Sequence, residues 1–496
     1  MPTVSFFVKG EWNMIKKLKK IFPVLAIVPF IIGSVGYHMA GLRWMDACYN
    51  SVSLYVIQQN ADSTNALTEI ARWSAALVAT AAILSILKQA GQYLLNSILC
   101  LSSDSAALYG EEEIVNQICA KEKKAFFGGA SVVNAKHQIL LFHDDAENLS
   151  FYRKHREKMN AGQVWLAVRS LDLSFLKADN MNLHFFNPNN LVAKLLWNDE
   201  DINTRLKENK KAKIAILGFE SLGEQVMTQG FLHNVFFEDQ EYEYHVFAGK
   251  ENNDFTKNRF ISMNKDTVIF HEGSICDDNE TLPDFDLILS TEEIDFNLME
   301  LLWIRFHKAL IYMYSESNLE LSDFMVDNRV RFFGEAEKIY TLSNIITDKL
   351  YENGIVLNYN YDHYDAPMPS YEVLKAHPKA FKEAKNSWSN LNEFTKGSNI
   401  ASADYLMIVN DLYDESPYKE MQKENRDWAF ARLEHILWCR YHFMNYWTYG
   451  VPEDGKNKDS VKRIHTCLLA FEELSEENKR KDLDVILSGR RWGMTK

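Results

Sequence analysis

The side chains best suited to ligand chemistry lie close together near the C-terminus. The segment 432–440 reads RLEHILWCR and predicts a helix, on which Glu434 and His435 point about 100° apart. Trp447 and Tyr449 follow on a predicted turn, where their rings are expected to form an aromatic slot for a planar base. The residues expected to contact a ligand are Arg432, Glu434, His435, Trp447 and Tyr449.

Other residues of this segment allow two interpretations. Glu434, Trp438 and Tyr441 share one helix face, and Arg432 or Arg440 is expected to stay free for a phosphate group. In the alternative interpretation, Trp438 and Trp447 are only the hydrophobic core of a small helical unit. The sequence leaves both interpretations open.

A glycine-bearing turn lies in the middle of the chain. Residues 218–223 read GFESLG, directly after a strand-like segment and before a predicted helix. This is the placement of a dinucleotide fingerprint, so Gly218, Glu220 and Gly223 are candidate cofactor-binding residues. Glu220 replaces the middle glycine, and its carboxylate adds bulk and negative charge where the backbone must approach a pyrophosphate. We therefore expect no NAD in the ordinary pose, and an earlier turn, at Gly110, is followed by three glutamates.

No pattern in the sequence predicts catalysis or a metal site. GxSxG, HExxH and Walker A sequences do not occur, and the six cysteines show no CxxC spacing. The run HDD at 143–145 follows a strand and fits a loop site or, more simply, a turn. We expect a protein that is not an enzyme, with no catalytic residues and no metal.

Composition restricts the class of partner. The chain has 496 residues, which predicts several structural units. Its formal net charge of −14 argues against a general nucleic-acid binder, because such proteins need a basic face for phosphates. Few acidic residues lie in the first hundred residues, and most lie after Glu111. This asymmetry sets the N-terminal region apart from the rest.

Two apolar segments predict membrane spans at about 21–42 and 73–97. The first has no charged residue, and a cluster of four lysines at 16–20 precedes it, which places the N-terminus in the cytoplasm. A cleaved signal peptide is the alternative, although the run is long for one and a second apolar segment follows. Two spans return the C-terminus to the cytoplasm, so the expected location is the inner cell membrane.

The segment between the spans, 47–61, is uncharged, too short to span and too apolar for a plain loop, so we expect a re-entrant loop. The order span, re-entrant segment, span resembles the pore module of two-span potassium channels. No glycine occurs from 43 to 67, so the resemblance does not extend to the potassium filter. An interfacial loop without a pore stays open as the alternative.

From residue 102 onward the pattern alternates between strands and helices, which predicts parallel α/β sheets. Strands are expected at 106–110, 125–127, 138–142, 164–168, 183–186, 213–217, 244–247, 267–270, 287–289, 309–313 and 330–332. A charged segment, RLKENKKAK, marks a boundary near 201–213. The expected domains are a membrane module at 1–101, Rossmann-like units at 102–205 and 206–362, and a small helical domain at 370–496.

This arrangement resembles the RCK (TrkA-N type) regulatory domains of potassium channels and transporters. The resemblance covers about 105–358 and rests on strand order and on pieces such as KIAILGFESLGE and HFFNPNNLVAKLL. It implies a homo-oligomer, of four subunits in that family, in which ligand-driven expansion of a ring pulls the pore helices.

The C-terminal region resembles the ryanodine-receptor repeat (RyR domain). The motif of that family runs E-H-x-x-W and then W-x-Y-G, and it is matched by 434–438 and 447–450; the stretch SNIASAD at 398–404 matches a segment often found ahead of the repeat. The match covers about 386–490. It departs from the family at Tyr446, where the usual residue is glycine.

Together these features predict a ligand-gated ion channel or membrane-permeabilising effector that senses an adenine-containing nucleotide. Resemblance to bacterial proteins of this make-up implies a role in antiviral defence. The expected partners are the lipid bilayer, further copies of the chain and a small nucleotide, with no nucleic acid. The alternative is a membrane-anchored enzyme whose Rossmann-like units process a nucleotide.

Overall fold

The computed structural model describes most of the chain. The described residues are 27–56, 65–100, 102, 104–128, 132–171, 176, 182–248, 258–277, 282–317, 327–346, 349–363 and 366–489. The chain divides into two compact units, Met1–Leu99 and Cys100–Lys496.

The N-terminal unit is helical. Its described elements are α1 (Ile27–Met39), α2 (Trp44–Ser53) with a 3₁₀ turn at Leu54–Val56, and α3 (Ala66–Leu99). Glycines allow α1 to lie close to its neighbours, because a Cβ atom on Gly36 would come within 2.9 Å of the Thr68 backbone nitrogen. The side chain of Asn65 donates a 2.7 Å hydrogen bond to the carbonyl of Gly36. Small residues thus bring α1 and the start of α3 into direct contact.

One described helix is long and apolar enough to cross a membrane. It is the stretch Ala66–Leu84 of α3, which has a mean hydropathy of 1.4 and is 17% buried. The expected second span, 73–97, lies within α3. The described part of the first expected span is the shorter apolar helix α1, and residues 21–26 lie outside the described residues. Of the expected re-entrant segment, α2 and its 3₁₀ turn cover the part up to Val56, and 57–61 are not described.

The second unit contains a five-stranded parallel sheet. Its strands are β1 (Ala106–Gly110), β2 (Ala125–Phe127), β3 (His137–Leu141), β4 (Gln163–Ala167) and β5 (Leu183–Phe186), in the order β2-β1-β3-β4-β5. The helices of this half are α4 (Glu112–Lys121), α5 (Asp145–Met159) and α6 (Pro188–Trp197). Its strands are almost fully buried, as expected of a sheet covered on both faces.

A six-stranded parallel sheet follows. Its strands are β6 (Lys213–Leu217), β7 (Glu243–Phe247), β8 (Thr267–His271), β9 (Leu287–Glu293), β10 (Leu310–Tyr314) and β11 (Val330–Phe333), and its helices include α8 (Ser221–His233) and α9 (Phe296–Arg305). The order β11-β10-β9-β6-β7-β8 is that of a doubly wound Rossmann sheet. All eleven predicted strands are present, and the predicted α/β class is confirmed.

The charged segment expected to be a linker is partly helical. Helix α7 (Glu200–Glu208) occupies its first part, capped by the Asp199 carboxylate, which accepts hydrogen bonds from the backbone N–H groups of residues 201 and 202. Ile202 and Leu206, four residues apart, are both buried. This short apolar spacing was the helical signal, and the surrounding lysines obscured it.

The C-terminal region is helical apart from a three-stranded sheet. The helices are α10 (Ala336–Ile339), α11 (Leu342–Ile345), α12 (Lys349–Asp362), α13 (Tyr371–Lys375), α14 (Pro378–Asn390), α15 (Glu393–Leu412), α16 (Lys423–Met444) and α17 (Glu476–Gly489). Strands β12 (Thr448–Tyr449), β13 (Lys458–Asp459) and β14 (Ile464–His465) form the small sheet in the order β12-β14-β13. One hydrophobic cluster includes Leu108, Ile216 and Leu437, so the two large sheets and the C-terminal helices share a core.

Candidate functional site

A cavity of about 370 Å³ lies among the C-terminal helices and the small sheet. Its volume is within the range of small-molecule sites. Helix α16 contributes Glu434, His435 and Trp438, α15 contributes Ser398 and Asn399, and α17 contributes Asp482. The structure therefore brings together two segments that the sequence analysis singled out, the EHILW run and the SNIASAD run.

Glu434 is one of the most deeply buried residues that line this cavity. It is 1% exposed, and its Oε1 accepts a 2.9 Å hydrogen bond from the Ser402 hydroxyl. Burial, and to a lesser degree the nearby Asp482 carboxyl, raises the pKa of Glu434 to about 8. At neutral pH the carboxyl group is therefore protonated, and it can donate a hydrogen bond as well as accept one.

His435 and Asp482 form a buried pair beside Glu434. The imidazole Nε2 of His435 donates to the carbonyl of Leu469 at 2.9 Å, and Nδ1 lies 3.1 Å from Asp482 Oδ2. Neither Nδ1 nor Oδ2 has a well-aligned hydrogen-bond partner. Burial opposes the charged imidazolium, but Asp482 and the Leu469 carbonyl outweigh it, so the pKa of His435 is raised. The two groups thus form a buried ion pair within the lining of the cavity.

The aromatic lining of the cavity differs from the expected slot. Trp438 packs 3.9 Å from His442 and 5.0 Å from His465, measured between ring centroids, and all three line the cavity. Trp447 also lines it, but Trp447 is 5% exposed and stacks on Phe394. Tyr449 is 53% exposed and does not line the cavity, because β12 directs it to the surface. Trp447 and Tyr449 therefore do not form a shared slot.

Neither arginine of the segment is free for a phosphate in this structure. Arg432 Nε lies 3.0 Å from both carboxylate oxygens of Glu238. Arg440 is fully buried, and it donates to Asp266 at 2.6 Å, to Asn264 and to the carbonyls of Phe231 and Ser262. The cations that line the cavity are lysines, Lys458 and Lys481, which no motif indicated.

Tyr446 adopts a left-handed backbone conformation, with φ of 61°. The family motif has glycine at this point, and glycine adopts positive φ without the steric cost that a Cβ atom brings. The turn that follows α16 therefore has a non-glycine residue in this conformation.

The dinucleotide-type turn of the second large sheet keeps its shape. Gly218 has φ of 84°, and a Cβ atom on Gly223 would lie 2.2 Å from the carbonyl oxygen of Gly218. Glu220 is exposed at the N-cap of α8, and the carboxylate of Glu292 lies next to Gly218. Two carboxylates thus flank the position that a pyrophosphate takes in the ordinary pose, and the absence of NAD from this crevice stays a prediction.

The polar run at 143–145 has structural partners. Asp144 caps α5, and the Asp145 carboxylate accepts hydrogen bonds from the backbone N–H groups of Arg169, Ser170 and Leu171. His143 lies 3.3 Å from Glu111. The run serves as a turn and a cap at the end of β3.

A second, larger cavity of about 770 Å³ lies between α6, α8 and α15. Two lysines that line it are paired with carboxylates, Lys194 with Asp404 at 2.5 Å and Lys396 with Glu393 at 2.7 Å, and Arg169 donates to the carbonyl of Phe142. Among the described residues, no group of three or more His, Cys, Asp or Glu side chains is placed to hold a metal ion.

No protein-family model, curated protein or solved structure matches this sequence.

Proposed function

We propose that the protein is a ligand-gated channel or membrane-permeabilising effector, whose signal is a small nucleotide that binds the 370 Å³ cavity. The observation that carries the proposal is the composition of that cavity. A protonated carboxyl group, a buried ion pair and aromatic rings line one cavity. Such a mixture of flat apolar walls and a few placed polar groups suits a nucleobase and ribose.

The membrane part of the proposal rests on α1 and α3. The apolar stretch of α3 is largely unburied, and large hydrophobic side chains such as Trp73, Leu77 and Leu84 are exposed along it. Lipid is the environment that suits such a surface. Six residues separate the end of α3 from the start of β1, so a change in the second unit has a short covalent route to the span. We propose two spans, with α1 within the first.

The test measures ligand binding and conductance on the full-length protein. Purified protein in detergent is titrated calorimetrically with ADP, ADP-ribose and cyclic dinucleotides, and the same protein in a planar bilayer is assayed for current. We expect one class of nucleotide to bind and to raise the current. Glu434→Ala should abolish both effects, whereas Tyr449→Ala, which alters an exposed ring outside the cavity, should leave both unchanged.

Three results would contradict the proposal. If the wild-type protein binds no nucleotide, the proposed sensing role is wrong. If it binds a nucleotide but shows no current, the proposed channel function is wrong. Steady conversion of the nucleotide into products would instead support the membrane-anchored enzyme. Circular dichroism of the Glu434→Ala variant checks that a loss of binding does not come from unfolding.

A further inference from the structure

The two ends of the 370 Å³ cavity differ in charge. Glu434 and His435 are buried lining residues, and we call their part of the cavity the closed end. Lys458 on β13 and Lys481 on α17 are exposed lining residues, and we call their part the open end. An anionic group is disfavoured beside the carboxyls of the closed end and favoured beside the lysines.

Lys458 is available to a ligand. The neighbouring lysines of its loop are paired, Lys456 with Asp454 and Lys462 with Glu453, and within the described part of the chain no carboxylate pairs with Lys458. Lys481 lies 3.0 Å from Glu477 and 3.1 Å from the side chain of Asn478. Exposed pairs of this kind are weak, so a phosphate can replace Glu477 as the partner of Lys481.

His465 on β14 is the pairing partner of Lys458, lines the same cavity and adds a neutral donor. Burial, with additional repulsion from Lys458 and Lys481, lowers the pKa of His465 to about 4. The ring is therefore neutral at pH 7. Its Nδ1 accepts a 3.0 Å hydrogen bond from the backbone N–H of Cys467, so the ring proton is on Nε2. Lys458 is paired directly with His465 across β13 and β14, and Lys481 lines the same cavity.

We propose that Lys458, Lys481 and the Nε2–H of His465 form a phosphate-binding end of the cavity. This rests on the proposed function and specifies the ligand as a nucleoside di- or polyphosphate-type anion. Its phosphates lie at the open end, and its uncharged nucleoside part reaches Glu434. Lys458 is the specificity-determining residue, since it contributes a charge with which no carboxylate among the described residues forms an ion pair. A nucleoside without phosphates lacks the groups that this end recognises.

The experiment compares ADP with adenosine on the full-length protein in detergent, by calorimetry at low and at moderate salt. We expect ADP to bind at least tenfold more tightly than adenosine, and we expect the affinity for ADP to fall as the salt concentration rises. Lys458→Gln should lower the affinity for ADP about tenfold and leave the affinity for adenosine unchanged. Lys462→Gln is the matched control, because it removes a lysine of the same loop whose charge is already paired with Glu453.

Two outcomes would overturn this inference alone. One is equal affinity of wild type, Lys458→Gln and Lys481→Gln for ADP, and the other is adenosine binding as tightly as ADP. In both cases a nucleotide still binds, so the proposed function stands. A wild-type protein that binds neither ADP, ADP-ribose, cyclic dinucleotides nor adenosine overturns the proposed function, and this inference with it.

Discussion

The protonation state of Glu434 depends on the residues that surround it in the folded protein. A solvated glutamate is charged at neutral pH, but Glu434 is enclosed by α15, α16 and α17 and faces the Asp482 carboxyl. Ser402 supplies one hydrogen bond, which offsets only part of the cost of burying a charge. The carboxyl group of Glu434 is thus neutral in the folded protein, and a polar ligand that contacts it does not have to displace a counter-ion.

This state predicts a pH dependence of stability. The carboxyl of Glu434 titrates near 4.5 when unperturbed and near 8 in the folded protein. Between these values the folded state retains a proton that the unfolded state has lost, so stability falls as pH rises from about 4.5 to 8. The contribution is on the order of a few kcal/mol. Thermal unfolding of wild type and Glu434→Gln from pH 5 to 9 measures it.

In Glu434→Gln the fall with pH should be smaller. It should not vanish, since the pKa of His435 and that of Asp482 are also raised. Identical pH profiles for the two proteins would show that Glu434 is ionised throughout the range.

Helix α16 is the element that connects the cavity to the second large sheet. Glu434, Trp438 and His442 repeat every four residues and face the cavity. Arg440 lies about 200° around the helix from Trp438 and enters the loop before β8, where it meets Asp266. The Asp266 carboxylate also accepts from the backbone N–H of Tyr242 and from the side chain of Gln240. The Arg440–Asp266 pair therefore gives the proposed ligand site a direct structural link to that sheet.

Removal of Arg440 should weaken this connection strongly. Arg440→Met leaves Asp266 buried without its cation, which costs about 3–5 kcal/mol. Arg432→Met is the control on the same helix, because the pair with Glu238 is partly exposed and its loss costs less than about 1 kcal/mol. Urea unfolding followed by tryptophan fluorescence compares the two, and adding Asp266→Asn to Arg440→Met should restore part of the loss. Equal destabilisation by the two single variants would contradict the role given to Arg440.

Local pattern predicted the elements better than it predicted their partners. The strands were evident because each is a short apolar run between polar segments, and the helix around Glu434 followed from its spacing. The partner of Arg440 is 174 residues away in sequence, so its burial could not be read from α16. Tyr449 was expected at the ligand, but the pairing of β12 with β14 turns it outward. Lys458 belongs to no motif, and only the folded chain places it at the cavity.

At the scale of the whole molecule, the two units differ in the surface they present. Helix α3 has 34 residues and is about 51 Å long, well beyond the ~30 Å hydrocarbon thickness of a bilayer. Its apolar stretch, Ala66–Leu84, has 19 residues and is about 28 Å long, which matches that thickness. The acidic residues that give the chain its net charge of −14 lie mostly in the other unit. This division suits one unit in lipid and one in water.

The proposed topology has two spans and both termini in the cytoplasm. The lysine cluster at 16–20 precedes the first apolar segment, and basic residues are retained on the cytoplasmic side. Lys88 follows the apolar stretch of α3 and is expected on the same side. An epitope tag inserted after Gln59 should thus be cleaved by protease added to intact spheroplasts, whereas a tag after Lys496 should be cleaved only after lysis. A tag after Lys496 that is cleaved in intact spheroplasts would indicate a single span, with α1 outside the bilayer core. Protection of both tags would place the segment between α2 and α3 in the cytoplasm and remove the two-span arrangement altogether.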